Sequence, residues 1–363
     1  MAANGIFVTG FPGFIAGRLV GEILQRQETP CRFYFLILSK FRGRAQQECA
    51  ELERVHPQFA GNWTLVEGDI CEPNLGIDSN TLVELQKKVV DVWHLAAIYD
   101  LAVPVHTAYA ANVEGTLHVL DFCASVKNLR RHFYVSTCYV AGDRNGAVCE
   151  EDLDCGQGFK NHYESTKFWA EKLVQHRWDT IPTTIFRPAI VVGDSKTGET
   201  IKGDGPYFMF QLLFKLPKWL PFAHVGPGEA TLNVVPVDFL VSAMAELSVT
   251  TGTEGKVFQL ADPKPYTVHE MLNLTLKSLG RAPAVMTLPD AWVEKLLEVP
   301  QIARTLGIPA QSLSYFNHSV DFDVSNTLEF LKVSGVSCPD YKEYLPKLIA
   351  YARKHPSIFG RVS

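Results

Sequence analysis

The chain has no large charge of either sign: 34 Lys and Arg stand against 39 Asp and Glu, a formal net charge of −5 over 363 residues. A polyanion such as nucleic acid or an acidic membrane therefore meets no global attraction, and no nucleic-acid partner is expected. No apolar run reaches the roughly 18 residues of a spanning helix, so no transmembrane segment is expected. The N-terminal "MAANGIFVTG" passes straight into a strand pattern without the charged and apolar regions of a secretory leader. The eight cysteines form no Cys-x-x-Cys pair, which points to a reduced, cytoplasmic protein rather than a disulfide framework. Also missing are a Gly-x-Ser-x-Gly elbow, a His-Glu-x-x-His pair and a Walker phosphate loop, so hydrolase, zinc-protease and phosphate-loop chemistry find no support, and no metal site is expected. There is no internal repeat, no low-complexity tract, and no motif that sets an oligomeric state.

What remains is a chain with 47% hydrophobic residues, ample for a core and a second lobe. The runs "GIFVTG", "RFYFLIL", "TLVEGDI", "DVWHLAA", "HFYVSTC" and "TTIFRPAIVVG" alternate with helical patterns such as "GFIAGRLVGEILQRQ". That rhythm reads as α/β, a doubly wound parallel sheet of the Rossmann kind with a smaller C-terminal substrate-binding domain. The expected division is 1–194 with about 228–262 for cofactor binding, and about 195–227 with 263–363 for substrate.

At the first strand-to-helix junction, "TGFPGFIAG" places Thr9, Gly10, Gly13, Phe14, Ile15 and Ala16. Gly10 permits a tight turn, Gly13 admits the backbone to a pyrophosphate, and small Ala16 allows close helix–strand packing, with the helix N-terminus facing the anion. After the second strand, a site preferring NAD would offer an acidic group to the ribose 2′-hydroxyl. Here "LILSKFRGR" offers Ser39, Lys40, Arg42 and Arg44, which suit a 2′-phosphate and hence NADP(H); the alternative is a solvated loop of charges. After the third strand, Asp69 and Ile70 are candidates for the adenine edge, unless Asp69 merely caps the strand.

In "HYESTKFWAEKLV", Tyr163 and Lys167 stand four residues apart and share a helix face. A nearby ammonium lowers the pKa of a phenol and makes it a usable proton donor. About 26 residues upstream, "FYVSTCYVAG" ends a strand in Ser136 and Thr137, whose hydroxyls are placed to meet the same substrate oxygen. The histidines, including His94, His162 and His269, read as packed or solvated rather than ligating; His162 stands beside Tyr163.

These motifs, with "GDI", "HLAA", "NVEGT", "YESTK" and "RPAIVVGD" in order over about residues 5–195, resemble the extended short-chain dehydrogenase/reductases. "GDICEPNLGI", "AAIYDLAVP", "EEDLDCGQGFKNHYESTKFWAEKLV" and "FRPAIVVGDSKTGE" are most similar to the thioester reductase and fatty acyl reductase branch. The resemblance implies Thr137, Tyr163 and Lys167 as catalytic residues, with Thr137 preferred over Ser136. It implies that Asn112 helps position the lysine, that Ala96 and Ala97 line the cofactor groove, and that Pro188 and Ala189 border the nicotinamide. It also implies NADPH-dependent reduction of an acyl thioester to aldehyde, or of an aldehyde to alcohol, with a small-molecule or carrier-bound acyl substrate arriving in trans. A ketone or alcohol dehydrogenase, a sugar-nucleotide epimerase or dehydratase, and a non-catalytic NADP sensor are the competing readings. The apolar stretch 205–228, "GPYFMFQLLFKLPKWLPFAHVGPG", is either a lid over a long acyl chain, with Lys215 and Lys218 at its rim, or the core of the smaller lobe.

Overall fold

The computed structural model describes residues 4–26, 29–99, 103–201, 203, 205–289, 291, 295 and 318–359. The expected second-lobe span therefore includes residues 290, 292–294, 296–317 and 360–363, which lie outside the described residues.

Seven parallel strands form the central sheet: β1 (Asn4–Thr9), β2 (Cys31–Ile37), β3 (Trp63–Glu67), β4 (Val89–His94), β5 (Arg131–Val135), β6 (Thr183–Pro188) and β7 (Val257–Leu260). Their spatial order is β7-β6-β5-β4-β1-β2-β3, with parallel pairing throughout. The six runs read from the sequence supply β1 to β6. The seventh, "VFQL", is a short strand without alternation, and it joins the sheet at its edge beside β6.

Both sheet faces are covered, which is why the strands read as continuous apolar runs rather than as alternating ones. Successive side chains still point to opposite faces. Ile6, Val8, Phe33, Phe35, Trp93 and Phe186 pack with the helices Phe14–Arg26 and Val237–Val249, whereas Phe7, Tyr34, Leu36, Tyr134 and Ile185 pack with Gly115–Ser125 and the inner side of His162–His176. A third cluster, built by the helices Tyr207–Lys215, Val268–Ser278 and Tyr341–Lys354, forms a smaller lobe. Two-stranded parallel pairs, Ile190–Val192 with Val234–Pro236 and Gly146–Val148 with Val320–Phe322, bring distant parts of the chain together at the sheet's C-terminal side.

The strand order reverses at β1, flanked by β2 and β4. The crevice beyond the carboxyl ends of β1 and β4 is where an open α/β sheet receives its ligand. Among the described residues, no helix is long and apolar enough to cross a membrane.

Candidate active site

The glycine-rich turn leaves β1 and lies against the end of β4. Gly10 has φ +85°, and a Cβ there would come within 2.8 Å of the Ala96 amide nitrogen, so only glycine fits. The Gly13 amide donates to the Gly10 carbonyl at 2.8 Å, and a Cβ on Gly13 would meet that oxygen at 2.6 Å. Ala16 is buried against the sheet. Phe14 and Ile15 open the first helix, whose leading N–H groups face the crevice. A backbone cradle that any side chain would fill, beneath a helix N-terminus, fits the pyrophosphate of a dinucleotide.

A directed hydrogen-bond chain holds the cradle in place. The Thr116 hydroxyl donates to the Asn112 carbonyl at 2.7 Å, so it accepts from His94 Nε2 at 3.0 Å. His94 Nδ1 then accepts from the Thr9 hydroxyl at 2.8 Å, and Thr9 Oγ1 accepts from the Ala96 amide at 3.1 Å. Every donor and acceptor is used once with a neutral imidazole, and burial holds the His94 pKa well below its ordinary value. His94 is thus a packed histidine with a structural task. The sequence carries no signal for it beyond a histidine inside an apolar strand.

Asn112 sits where the helix preceding Gly115 widens into a π-turn over Ala110–Glu114, a feature common beside functional sites. Its side chain accepts from the Ile98 amide at 2.8 Å and donates to the Ile98 carbonyl at 3.2 Å and to Thr166 Oγ1 at 3.0 Å. Asn112 therefore fastens the loop after Ala96 and Ala97 to the Tyr163 helix through Thr166, one residue away from Lys167.

That helix, His162–His176, is capped by Asn161, whose side chain accepts from the Glu164 amide at 3.0 Å. The Tyr163 hydroxyl lies beside Thr137, whose side chain pulls its pKa down against burial, and the Tyr163 ring meets Tyr99 edge-on at 4.9 Å. Thr137 Oγ1 also faces the Pro188 carbonyl at 3.4 Å, at the end of β6, where the buried Ala189 follows. Ser136 turns the other way and donates to Glu171 at 2.5 Å. Of the two adjacent hydroxyls, Thr137 is the one that joins Tyr163. His162 is exposed, and its carbonyl accepts from Thr166 at 2.7 Å.

Lys167 differs from the expectation. Its ammonium donates to the Val135 carbonyl at 2.7 Å and to the Tyr134 hydroxyl at 2.9 Å, and it lies 4.4 Å from the Tyr134 ring centre. Burial, opposed by Glu171, lowers its pKa to about 7. Burial raises the Tyr163 phenol above its ordinary value, with the Thr137 side chain pulling the other way. The shared helix face holds, but the amine is turned to β5 rather than tuning the phenol. Tyr134, a residue of a fully buried strand, was not legible as its partner.

At the ribose end, Ser39–Phe41 forms a single turn leading into the helix Arg42–Val55, and Ser39, Lys40, Arg42 and Arg44 are all exposed. Arg42 is paired at 2.7 Å with Glu67, at the end of β3. Hydrogen bonds from Arg42 and from Ser39 hold the Glu67 carboxyl below its usual range. The end of β2 itself carries no acidic group, as read from the sequence; Glu67 reaches these donors from the neighbouring strand through the Ile37–Glu67 register. Asp69 accepts from the Cys71 amide at 2.9 Å and shapes the turn after β3, while the Ile70 carbonyl faces His118 Nδ1 at 2.8 Å.

The stretch 205–228 contributes part of the smaller lobe's core. Tyr207, Phe210 and Leu213 are buried in the smaller lobe, and the Tyr207 hydroxyl accepts from the Gly193 amide at 2.8 Å. Trp219, 80% exposed, and the exposed Lys215 and Lys218 remain outside that core.

Comparison with known proteins agrees with this geometry. The model of the family described as male sterility protein, an NAD-binding family, matches residues 8–244. The chain belongs to that family, within the thioester reductase and fatty acyl reductase branch of the extended short-chain dehydrogenase/reductases. Its structure is similar to the terminal R domain from the myxalamid PKS-NRPS biosynthetic pathway, with TM-score 0.83, 25% identity, and 98% of this chain and 92% of that one covered. The chain is 26% identical over 370 residues to a component of the linear gramicidin synthase of Brevibacillus parabrevis, covering 95% of this chain and 7% of that protein. It is 26% identical over 276 residues to a fatty acyl-CoA reductase of Drosophila melanogaster, covering 66% of this chain and 53% of that protein. The chain thus spans about half, or far less, of the length of these curated relatives. UDP-glucuronic acid 4-epimerase from Bacillus cereus in complex with NAD shares the fold at TM-score 0.66 and 19% identity, over 96% of this chain and 99% of that one.

Proposed function

We propose that this protein reduces an acyl thioester, presented on coenzyme A or on a carrier, to an aldehyde, and that NADPH is the reductant. The observation that carries the reading is the placement of Tyr163, on the helix His162–His176, beside Thr137 at the end of β5, whose side chain pulls the phenol pKa down against burial, in a chain whose glycine turn fits a dinucleotide. The similarity to a reductase domain and to a fatty acyl-CoA reductase supports the substrate class. We assign residues 1–194 and about 228–262 to the cofactor lobe, and about 195–227 and 263–363 to the substrate lobe.

The bound cofactor supplies a hydride to the carbonyl carbon. Gly10, Gly13, Phe14 and Ile15 border its pyrophosphate, and Arg42 and Arg44 its 2′-phosphate. Thr137 and Tyr163 donate to the carbonyl oxygen as negative charge develops there, and Tyr163 gives it a proton. Lys167, with two N–H donors directed to Val135 and Tyr134, keeps a third for the ribose when charged. The hemithioacetal from a thioester then collapses to aldehyde and free thiol.

Incubating the protein with NADPH and separate panels of acyl-CoA, carrier-bound thioesters, aldehydes, ketones and UDP-sugars tests the reading. NADPH consumption with release of free thiol is expected from thioesters. Turnover of UDP-sugars with no net cofactor consumption would instead select the epimerase reading that the shared fold keeps in play.

A further inference from the structure

Three helix ends of the smaller lobe converge away from the crevice: the C-terminal ends of Tyr207–Lys215, Val268–Ser278 and Tyr341–Lys354. Between them lies a cavity of about 330 Å³. Its apolar surface is Phe214, Leu216 and Pro356, backed by the almost wholly buried Leu213, Leu279 and Ala352. Arg281 crosses one wall and donates to the carbonyls of Leu213 and Pro217, each at 2.7 Å, and to that of Leu216. Its charge is committed to closing the end of the Tyr207 helix, where orphan carbonyls need donors.

Two further cations on the lining are uncommitted. Lys218 and Arg353 are both exposed, and among the described residues neither has an ion-pair partner. The Arg353 guanidinium lies 5.3 Å from the centre of the Phe214 ring, which holds it at the cavity mouth. Among the described residues, no Asp or Glu is in the lining. Arg353 stands in the last turn of Tyr341–Lys354, where a basic residue complements the helix dipole. That account does not cover Lys218, which lies beyond its helix and reaches the same lining.

We propose that this cavity is a binding site for a single-chain amphiphilic anion, an alkyl phosphate or a long-chain carboxylate. The hydrocarbon chain lies on Phe214, Leu216 and Pro356, and the head accepts from Lys218 and Arg353. A small inorganic anion would leave this apolar surface wet, and a neutral chain would leave the cations unanswered. The volume matches the lower range of ligand pockets, roughly 300 Å³. The site is separate from Tyr163. The Tyr207 end of the helix is fixed to Gly193, and nine residues at about 1.5 Å each carry the chain about 13 Å to the cavity end. Its lining lies in the lobe assigned to substrate but includes no member of the Thr137–Tyr163 group.

Calorimetric titration of the full chain with dodecyl phosphate below its micelle concentration, and in a parallel arm with laurate, tests this. The expected result is one site for either amphiphile, weakened at least tenfold by Arg353→Glu and by Leu279→Trp, which fills the cavity and keeps the charges. Tyr163→Phe should leave this binding unchanged, and Arg353→Glu should leave NADPH consumption unchanged. A preference between the two amphiphiles identifies the head group. Thermal melts confirm folding, and if Leu279→Trp fails to fold, the surface change Arg353→Glu decides. Unchanged affinity in Arg353→Glu, or inorganic phosphate binding as tightly as dodecyl phosphate, would overturn the proposal.

Discussion

The guanidinium of Arg187 meets the carboxylate of Glu171 at 2.6 Å, with both side chains wholly buried. Glu171 also accepts from Ser136 at 2.5 Å and from Gln175 at 3.1 Å, so one carboxylate ties β6, the end of β5 and the Tyr163 helix together. The pair lies behind the reacting face and takes Ser136 out of contention, leaving Thr137 in front. Buried ion pairs are costly to break singly, because the surviving charge is left without a partner. Glu171→Gln should therefore lower stability by about 3–5 kcal/mol, whereas Glu171→Leu with Arg187→Met should recover much of that loss. Urea unfolding of the single and double variants measures both; a single variant within about 1 kcal/mol of the parent would show that water compensates the pair.

The juxtaposition of Tyr163 and Thr137 makes a separable prediction about chemistry. Tyr163→Phe removes a hydroxyl and leaves the cradle intact, so cofactor affinity should stay within about threefold while turnover falls by about a hundredfold or more. Thr137→Ser should retain most of the rate, and Thr137→Val should lose about tenfold or more. Steady-state kinetics with cofactor binding measured separately check this, and near-normal turnover in Tyr163→Phe would assign the proton to another group.

The Arg42–Glu67 pair leads to a prediction about cofactor choice. If Arg42 and Arg44 face the 2′-phosphate, NADPH should bind about tenfold tighter than NADH, a difference of ~1.4 kcal/mol. Replacing both with alanine should erase most of that ratio. Glu67 competes for Arg42 in the cofactor-free protein, so Glu67→Gln should raise the NADPH/NADH ratio further. Calorimetry with both cofactors distinguishes these outcomes, and equal affinities in the parent protein would remove the phosphate role.

The sheet was legible because six of its strands are long apolar runs and because a glycine turn joins strand to helix at only a few spacings. The edge strand Val257–Leu260 was not, being four residues long and without alternation. Among the site residues, Thr137 and Tyr163 could be paired from their motifs, since strand ends in a parallel sheet converge. The partners of Lys167 could not: Tyr134 lies on a strand buried on both faces, where nothing in the pattern distinguishes a hydrogen-bonding phenol from packing. Glu67 was hidden for a related reason, because register between β2 and β3 is a tertiary property. Tyr207 and Phe210 show the limit of composition, since an apolar run does not reveal which of its side chains the lobe's own core takes.

The buried amine of Lys167 makes stability depend on pH in a defined direction. Its pKa is lowered from the ordinary 10.5 to about 7 because burial disfavours the ammonium. Between these values the unfolded chain holds a proton that the folded chain has released, so stability rises as pH climbs through this window. Below about pH 7 the amine is charged in both states and the full penalty is present; above about 10.5 it is neutral in both and the penalty is gone. Lys167→Met carries no such proton. The stability of the parent relative to Lys167→Met should therefore increase by about 2–3 kcal/mol between pH 7 and pH 9 in cofactor-free protein. Urea midpoints at three or four pH values supply the comparison, and the difference cancels the titration of other groups. Parallel curves for the two proteins would mean that Glu171 and the Val135 carbonyl keep the ammonium charged at its ordinary pKa. The third N–H of Lys167 would then be available to the ribose throughout this pH range.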